Sequence, residues 1–113
     1  MTTPDLASIV DLYRTDLSEI QQRYLSWFSQ AFLLPKMLPT SANAINAFFR
    51  LWGHQYIYDE ETLTSALQAA GFRSIKRHRL GHSDHDALRN LENEERYPPG
   101  LLDYESVSLE GCK

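Results

Sequence analysis

The sequence is poor in the residue types that build recognisable sites. It holds one cysteine, Cys112, so no intramolecular disulfide can form and a reducing compartment suits it. Its five glycines are Gly53, Gly71, Gly81, Gly100 and Gly111, and no two stand close enough to form a phosphate-cradling loop. Such a loop needs clustered glycines, because the backbone must approach the anion closely at a helix N-terminus. No apolar run approaches the roughly twenty residues that cross a bilayer. The start, MTTPDLASIV, lacks the basic segment and apolar core of a secretory leader. No G-x-S-x-G elbow occurs, and Cys112 sits where nothing would hold a base beside it. Positive charge is not in excess: eleven Lys and Arg face fifteen Asp and Glu, and a net charge of −4 gives no general attraction to nucleic acid. Internal repeats and low-complexity stretches are absent as well. The expectation is a cytoplasmic protein with no membrane segment and no nucleic-acid partner.

What the chain does have is clear punctuation in its carboxy-terminal half. Residues 52–80 read WGHQYIYDEETLTSALQAAGFRSIKRHRL. Asp59 can accept hydrogen bonds from the free N–H groups of a first helical turn, and Glu60 and Glu61 add negative charge at the positive end of the dipole. Leu63, Ala66, Leu67 and Ala70 then fall on one helical stripe. Gly71 stops the helix, since it enters the left-handed region without a Cβ clash. A basic strand follows near Ser74 to Leu80.

Elsewhere the pattern is helical. Thr3 suits an N-cap, Pro4 a first helical position and Asp5 the dipole, with Leu6, Ile9, Val10 and Tyr13 as the stripe. A second stripe runs through Leu17, Ile20, Tyr24, Trp27, Phe28 and Ala31, and its helix should end before Pro35. The segment Pro35-Lys36-Met37-Leu38-Pro39 reads as a linker. A third helix should begin near Ser41 and place Ile45, Phe48, Phe49 and Trp52 on one face. After the basic strand come a loop, His82-Ser83-Asp84-His85, and a short helix around Asp86 to Asn93. Pro98, Pro99 and Gly100 then break the chain before a final strand, Tyr104 to Glu110, with Val107 and Leu109 pointing inward.

Two of these segments resemble one family. YDEETLTSALQAAGFRSIKR is similar to the last helix and penultimate strand of class I S-adenosylmethionine-dependent methyltransferases. TPDLASIVDLY looks like the segment that follows the fifth strand in many bacterial members, where a strand ends in a "PDL" turn and enters a helix. The resemblance covers nearly the whole chain, as the carboxy-terminal part of a longer enzyme. It implies an α+β fragment of an α/β Rossmann-like fold, mostly helical, with a carboxy-terminal two-stranded antiparallel element. Residues 1–113 form one domain on this view, with 1–58 a helical insert and 59–113 the last helix, two strands and a connecting short helix. The family holds its cofactor in an E/D-x-G-x-G-x-G turn that this chain lacks. The implied cofactor, S-adenosylmethionine, therefore belongs to the parent family, and the chain is expected to bind none and to be inactive by itself.

The resemblance also bears on partners and sites. In the parent fold the last strand is antiparallel and lies between the fifth and sixth. With the fifth missing, one edge of Tyr104–Glu110 should stay unpaired and invite a second copy or a complementary chain, unless the helices fold back over it. Trp27, Phe28, Phe32, Phe48, Phe49 and Trp52 are many large rings for so short a chain, and some would have packed on the missing half. Asn46, Arg50-x-Trp52-Gly53-His54 and Tyr58-Asp59 resemble a pattern lying over the substrate side. By that resemblance Asn46, His54 and Tyr56 contact the methyl acceptor, with imidazole available as a base. The competing reading makes Trp52 and Tyr58 core residues and has His54 bond a backbone carbonyl at a turn. His82, Asp84 and His85, with His78 nearby, are of metal-ligating type, but their spacing matches no established zinc pattern and a helix start explains the polar loop. No metal ligand is assigned. Arg73, Lys76, Arg77 and Arg79 have the charge and reach to contact phosphate oxygens. The competing reading is a solvated edge strand, with Glu92, Glu94, Glu95 and Glu105 available to balance it and no aromatic residues interleaved as a single-strand platform needs.

Overall fold

The chain is α+β. A computed structural model describes every residue except Leu34 and Lys36, and it divides the chain into two compact units. One comprises Met1–Leu6 with Tyr58–Lys113, and the other Ala7–Ile57. No helix among the described residues is long and apolar enough to cross a membrane.

The first unit carries the sheet. Strands β1 (Thr2–Pro4), β2 (Arg73–His78) and β3 (Ser106–Cys112) lie in the order β1-β3-β2, with β3 antiparallel to both neighbours. The expected two-stranded element is therefore three-stranded. The edge of β3 predicted to lie open is covered by the first residues of the chain. Thr3 and Pro4, expected to cap and begin a helix, belong instead to β1. The register explains why proline is tolerated there. Met1 and Leu109 exchange backbone hydrogen bonds, and the Asp5 N–H donates to the Glu105 carbonyl at 2.7 Å. Antiparallel pairing alternates, so the missing N–H of Pro4 falls on the outer side, where no ladder bond needs it.

Helix α4 (Glu60–Ala69) covers one face of this sheet. Asp59 accepts from the Thr62 N–H at 2.8 Å, and the Asp59 N–H donates to the Thr62 hydroxyl at 3.1 Å, so two orphan donors are satisfied reciprocally. Leu63 is buried with Val107 and Leu109, and Tyr58, Leu67 and Ile75 pack around them. The inward stripe is narrower than expected: Ala66 and Ala70 are exposed, because a small core of three aliphatic residues is spanned by Leu63 and Leu67 alone. Gly71 ends the helix at φ +90°, and the Phe72 N–H reaches back to the Leu67 carbonyl at 3.0 Å.

The last strand begins later than predicted. A short helix, α5 (Leu101–Glu105), occupies its expected start, since Leu101 and Glu105 are both buried four residues apart. The helix expected over Asp86–Asn93 is replaced by 3₁₀ turns at Asp86–Leu88 and Glu94–Arg96. Leu88 and Leu91 are both exposed, so no apolar stripe stabilises a longer helix there.

The second unit is helical: α1 (Leu6–Asp11, of which Leu6 lies in the sheet unit), α2 (Glu19–Phe28), a π-helical turn at Ser29–Leu33, and α3 (Ser41–Arg50). Ser18 and Gln21 form a capping box on α2, and the Gln21 amide also donates to the Asp11 carboxylate at 2.6 Å, tying α1 to α2. Thr40 caps α3 by accepting from the Asn43 N–H. The π-helical turn Ser29–Leu33 precedes Pro35, and the Met37 N–H donates to the Leu33 carbonyl at 3.0 Å. The expected linker 35–39 includes Lys36, which lies outside the described residues.

Two predicted faces are rotated. Along α1 and the turn that follows it, Ile9 and Leu12 are buried while Val10 and Tyr13 are exposed, because the helix is only six residues long and starts at Leu6. In α3 the buried residues are Ala44, Ala47 and Phe48, with Phe49 of that helix and Trp52 just beyond it 43–44% exposed. Alanines on the inner face let the α3 backbone approach α2, and the larger rings move to the rim.

Candidate functional site

Strand alternation gives the sheet two unlike faces. Val107 and Leu109 point toward α4. Ser108 and Glu110 point the other way, and the pairings Lys76↔Glu110, His78↔Ser108 and Thr2↔Ser108 place five polar residues together on that side. A bulge between Arg73 and Lys76 sets this register, with Ser74 at φ +52°. Gly111 faces the bulge closely: a Cβ there would stand 3.2 Å from Ile75 Cγ1 and 3.4 Å from the Arg73 carbonyl.

The segment after β2 is tied down onto the polar face. Thr2 Oγ1 donates to Glu92 at 2.6 Å, Lys76 donates to Asp84 at 2.6 Å, and Ser83 Oγ donates to Glu110. The Lys76 ammonium holds the Asp84 carboxyl below the usual carboxylate range, and Asp84 in turn raises Lys76. Ser83 is buried, and its hydroxyl also accepts the His85 N–H at 2.9 Å.

Two imidazoles flank Glu110. His78 Nε2 lies 3.8 Å from one carboxylate oxygen and His85 Nε2 lies 3.6 Å from the other. His78 is 15% exposed as a side chain, and its Nε2 is sealed from solvent without a hydrogen-bond partner. A small cavity of about 80 Å³ adjoins it, with His78, Ser83, Ser108 and Glu110 in its wall. His78, Asp84 and Glu110 each offer a ligand atom within 4.8 Å of the others. The chain thus gathers two of the four residues noted in the polar loop and its strand, His78 and Asp84, around a third, Glu110. His85 stands beside Glu110, and His82 is outside the trio. Sequence reading missed Glu110. The signal was the alternation itself: if Val107 and Leu109 face the core, Glu110 shares the opposite face with the residues across from it.

The three residues implied to contact an acceptor lie in the helical unit. Asn46 is exposed and donates back to the Ala42 carbonyl of its own helix at 2.8 Å. His54 Nδ1 lies 2.8 Å from the Phe48 carbonyl, the kind of turn bond weighed against a substrate role. Tyr56 is 59% exposed.

The same unit displays its rings partly at the surface. Phe28, fully buried, stacks with Phe48 at a centroid distance of 5.1 Å and meets Trp52 edge-on at 5.7 Å. Phe32 and Trp52 cross nearly perpendicularly at 5.0 Å, and both are more than 40% exposed. The basic strand finds other partners than those expected. Arg77 pairs with Glu60 at 2.6 Å and lies 3.6 Å from the buried Asp5, while Arg79 lies 3.7 Å from Asp103.

No protein-family model, curated protein or solved structure matches the chain.

Proposed function

We propose that this chain is a methyltransferase-like carboxy-terminal module that binds another protein surface and is not an enzyme by itself. One observation carries the reading: the strand order β1-β3-β2, in which the last strand enters antiparallel between two mutually parallel ones. Class I methyltransferases insert their last strand in that way between the fifth and sixth. On this reading β1 stands for the end of the fifth strand, β2 for the sixth and β3 for the seventh. Split β-α-β units recur in other folds, so the order alone is not specific. The TPDL turn after β1 and the capped helix before β2 add to it at the corresponding places.

The reading has a physical consequence at β1. Its inner groups pair with β3, and the outward N–H and C=O of Thr2 and the carbonyl of Pro4 form the free edge among the described residues. In the parent fold the next strand lies there. Strands contributed from outside these residues, by a second copy or a complementary chain, would satisfy that edge. The exposed rings of Phe32, Phe49 and Trp52 supply apolar area for association. A complementary chain carrying the glycine-rich turn would supply the cofactor, leaving acceptor contacts to the helical unit.

Light scattering after size exclusion, with S-adenosylmethionine titrated calorimetrically into the same sample, tests this. The expected result is self-association, or capture of a complementary chain, with no cofactor heat from the chain alone. Thr2→Pro, which removes an outward donor, should weaken that association. A monomer that binds S-adenosylmethionine stoichiometrically overturns the proposal.

A further inference from the structure

We propose that the polar face of the sheet is a binding site for one divalent first-row transition ion of the zinc class. Its ligands are His78 Nε2, the Glu110 carboxylate and the Asp84 carboxylate, with His85 Nε2 as a fourth donor. The inference is independent of the methyltransferase reading, because it uses only groups that the β2–β3 register and the following loop bring together.

Donor chemistry comes first. Imidazole nitrogen and carboxylate oxygen together suit zinc, cobalt and manganese, and no cysteine is required. The two carboxylates supply negative charge for a divalent ion to balance. The spacing is close to what such an ion needs. Ligands about 2.0–2.2 Å from a common tetrahedral centre stand roughly 3.3–3.6 Å apart. The two histidine nitrogens lie 3.8 and 3.6 Å from the Glu110 oxygens, and the three principal donors fall within 4.8 Å of one another. Asp84 and His85 are the more exposed donors, at 53% and 63%, and are the side chains that must turn for an ion to bind.

Burial adds a separate argument. A polar atom shut away from water without a partner is costly, and His78 Nε2 is in that position. It adjoins a cavity of about 80 Å³ whose wall includes Glu110 and Ser83 but neither Asp84 nor His85, which leaves room for a water beside the ion. Outer contacts orient the ligands. Ser83 Oγ donates to Glu110, the His85 N–H donates to that same hydroxyl, and Arg89 Nε donates to the Ser83 carbonyl at 2.9 Å. Such outer-shell bonds fix ligand orientation in metal sites.

Lys76 is the competing cation. Its ammonium sits 2.6 Å from Asp84, but the side chain is 64% exposed and its long stem can swing into solvent. The ion would displace it and enter past Asp84 and His85, whose side chains are 53% and 63% exposed.

The test uses the full chain, stripped with a chelator and titrated calorimetrically with Zn²⁺. The expected result is saturation at one ion per chain with a raised melting temperature. His78→Gln and Glu110→Gln should each weaken binding about tenfold or more, whereas His82→Ala and Cys112→Ser should leave it unchanged. A parallel readout needs no variant: the imidazole ¹⁵N resonances of His78 in the unaltered chain should shift at one equivalent of Zn²⁺. Absence of saturable binding overturns the site. So does binding that survives both His78→Gln and Glu110→Gln, or that His82→Ala or Cys112→Ser abolishes. If a variant fails to fold by circular dichroism, unmoved His78 resonances in the unaltered chain overturn it by themselves.

Discussion

The helical unit and the sheet unit are held together by different kinds of contact. In the helical unit the rings of Tyr24, Trp27, Phe28, Phe32, Phe48 and Trp52 form one chain of contacts, all from a short stretch of sequence. In the sheet unit the aliphatic core is small, and the chain ends are joined by bonds over long sequence separations. The Met1 amine donates to the Leu109 carbonyl at 2.7 Å, and Thr2 reaches Glu92. Nearby residues close short loops at little entropic cost, while distant ones must wait for the whole unit to assemble. The helical unit should therefore form from local contacts, and the sheet unit should depend on its first few residues.

Both tryptophans, Trp27 and Trp52, lie in the helical unit, so tryptophan fluorescence reports on it alone and amide exchange of β3 reports on the other. The largest expected effect is Phe28→Ala, which should cost about 3–5 kcal/mol in fluorescence-monitored denaturation, since Phe28 is 1% exposed amid five other rings. An equal loss of protection at the Val107 and Leu109 amides would break the comparison, because the two units would then unfold as one. Leu63→Ala should cost about 2–5 kcal/mol, seen in β3 exchange, with the fluorescence midpoint little changed.

Gly71→Ala tests the turn that joins α4 to β2. At φ +90° the added methyl meets no atom within 4 Å, so the penalty is backbone strain alone, about 1–2 kcal/mol. A neutral result would mean that the helix end relaxes. The smallest effect is confined to alkali. Burial first, then the charge of Glu105 and a hydrogen bond to it, push the Tyr97 phenol from 10.0 up to about 12. The raised value means that this contribution is complete below about pH 10 and is lost as pH rises toward about 12. Tyr97→Phe should flatten the loss of β3 protection over that window and leave the fluorescence midpoint unmoved.

Legibility followed the range of the interactions. The α4 segment could be read closely because its cap, its stripe and its glycine stop act within a few residues. Even there Thr62 answers Asp59 reciprocally in place of the usual Glu or Gln, so its sequence gives no capping-box signature. Thr3, Pro4 and Asp5 read as a helix start because each suits one locally, yet Thr2–Pro4 is a strand. That strand forms only because Ser106, Val107 and Ser108 lie beside it. The aromatic stripe of α3 was placed one residue off, since packing chose alanines for the inner face. The cluster around Glu110 was legible only in part: His78, Asp84 and His85 stood out as residue types, but their meeting point did not.

Local chemistry, then, sufficed for the Asp59 cap, the Gly71 stop, the α+β class and the basic edge strand, because each depends on neighbours a few positions away. Tertiary structure decided the third strand, the covered edge of β3 and the gathering of His78, Asp84 and Glu110. Those depend on strand register, and a slip of one residue would turn every side chain of β2 to the opposite face. The bulge at Ser74 sets that register through contacts that no local pattern encodes.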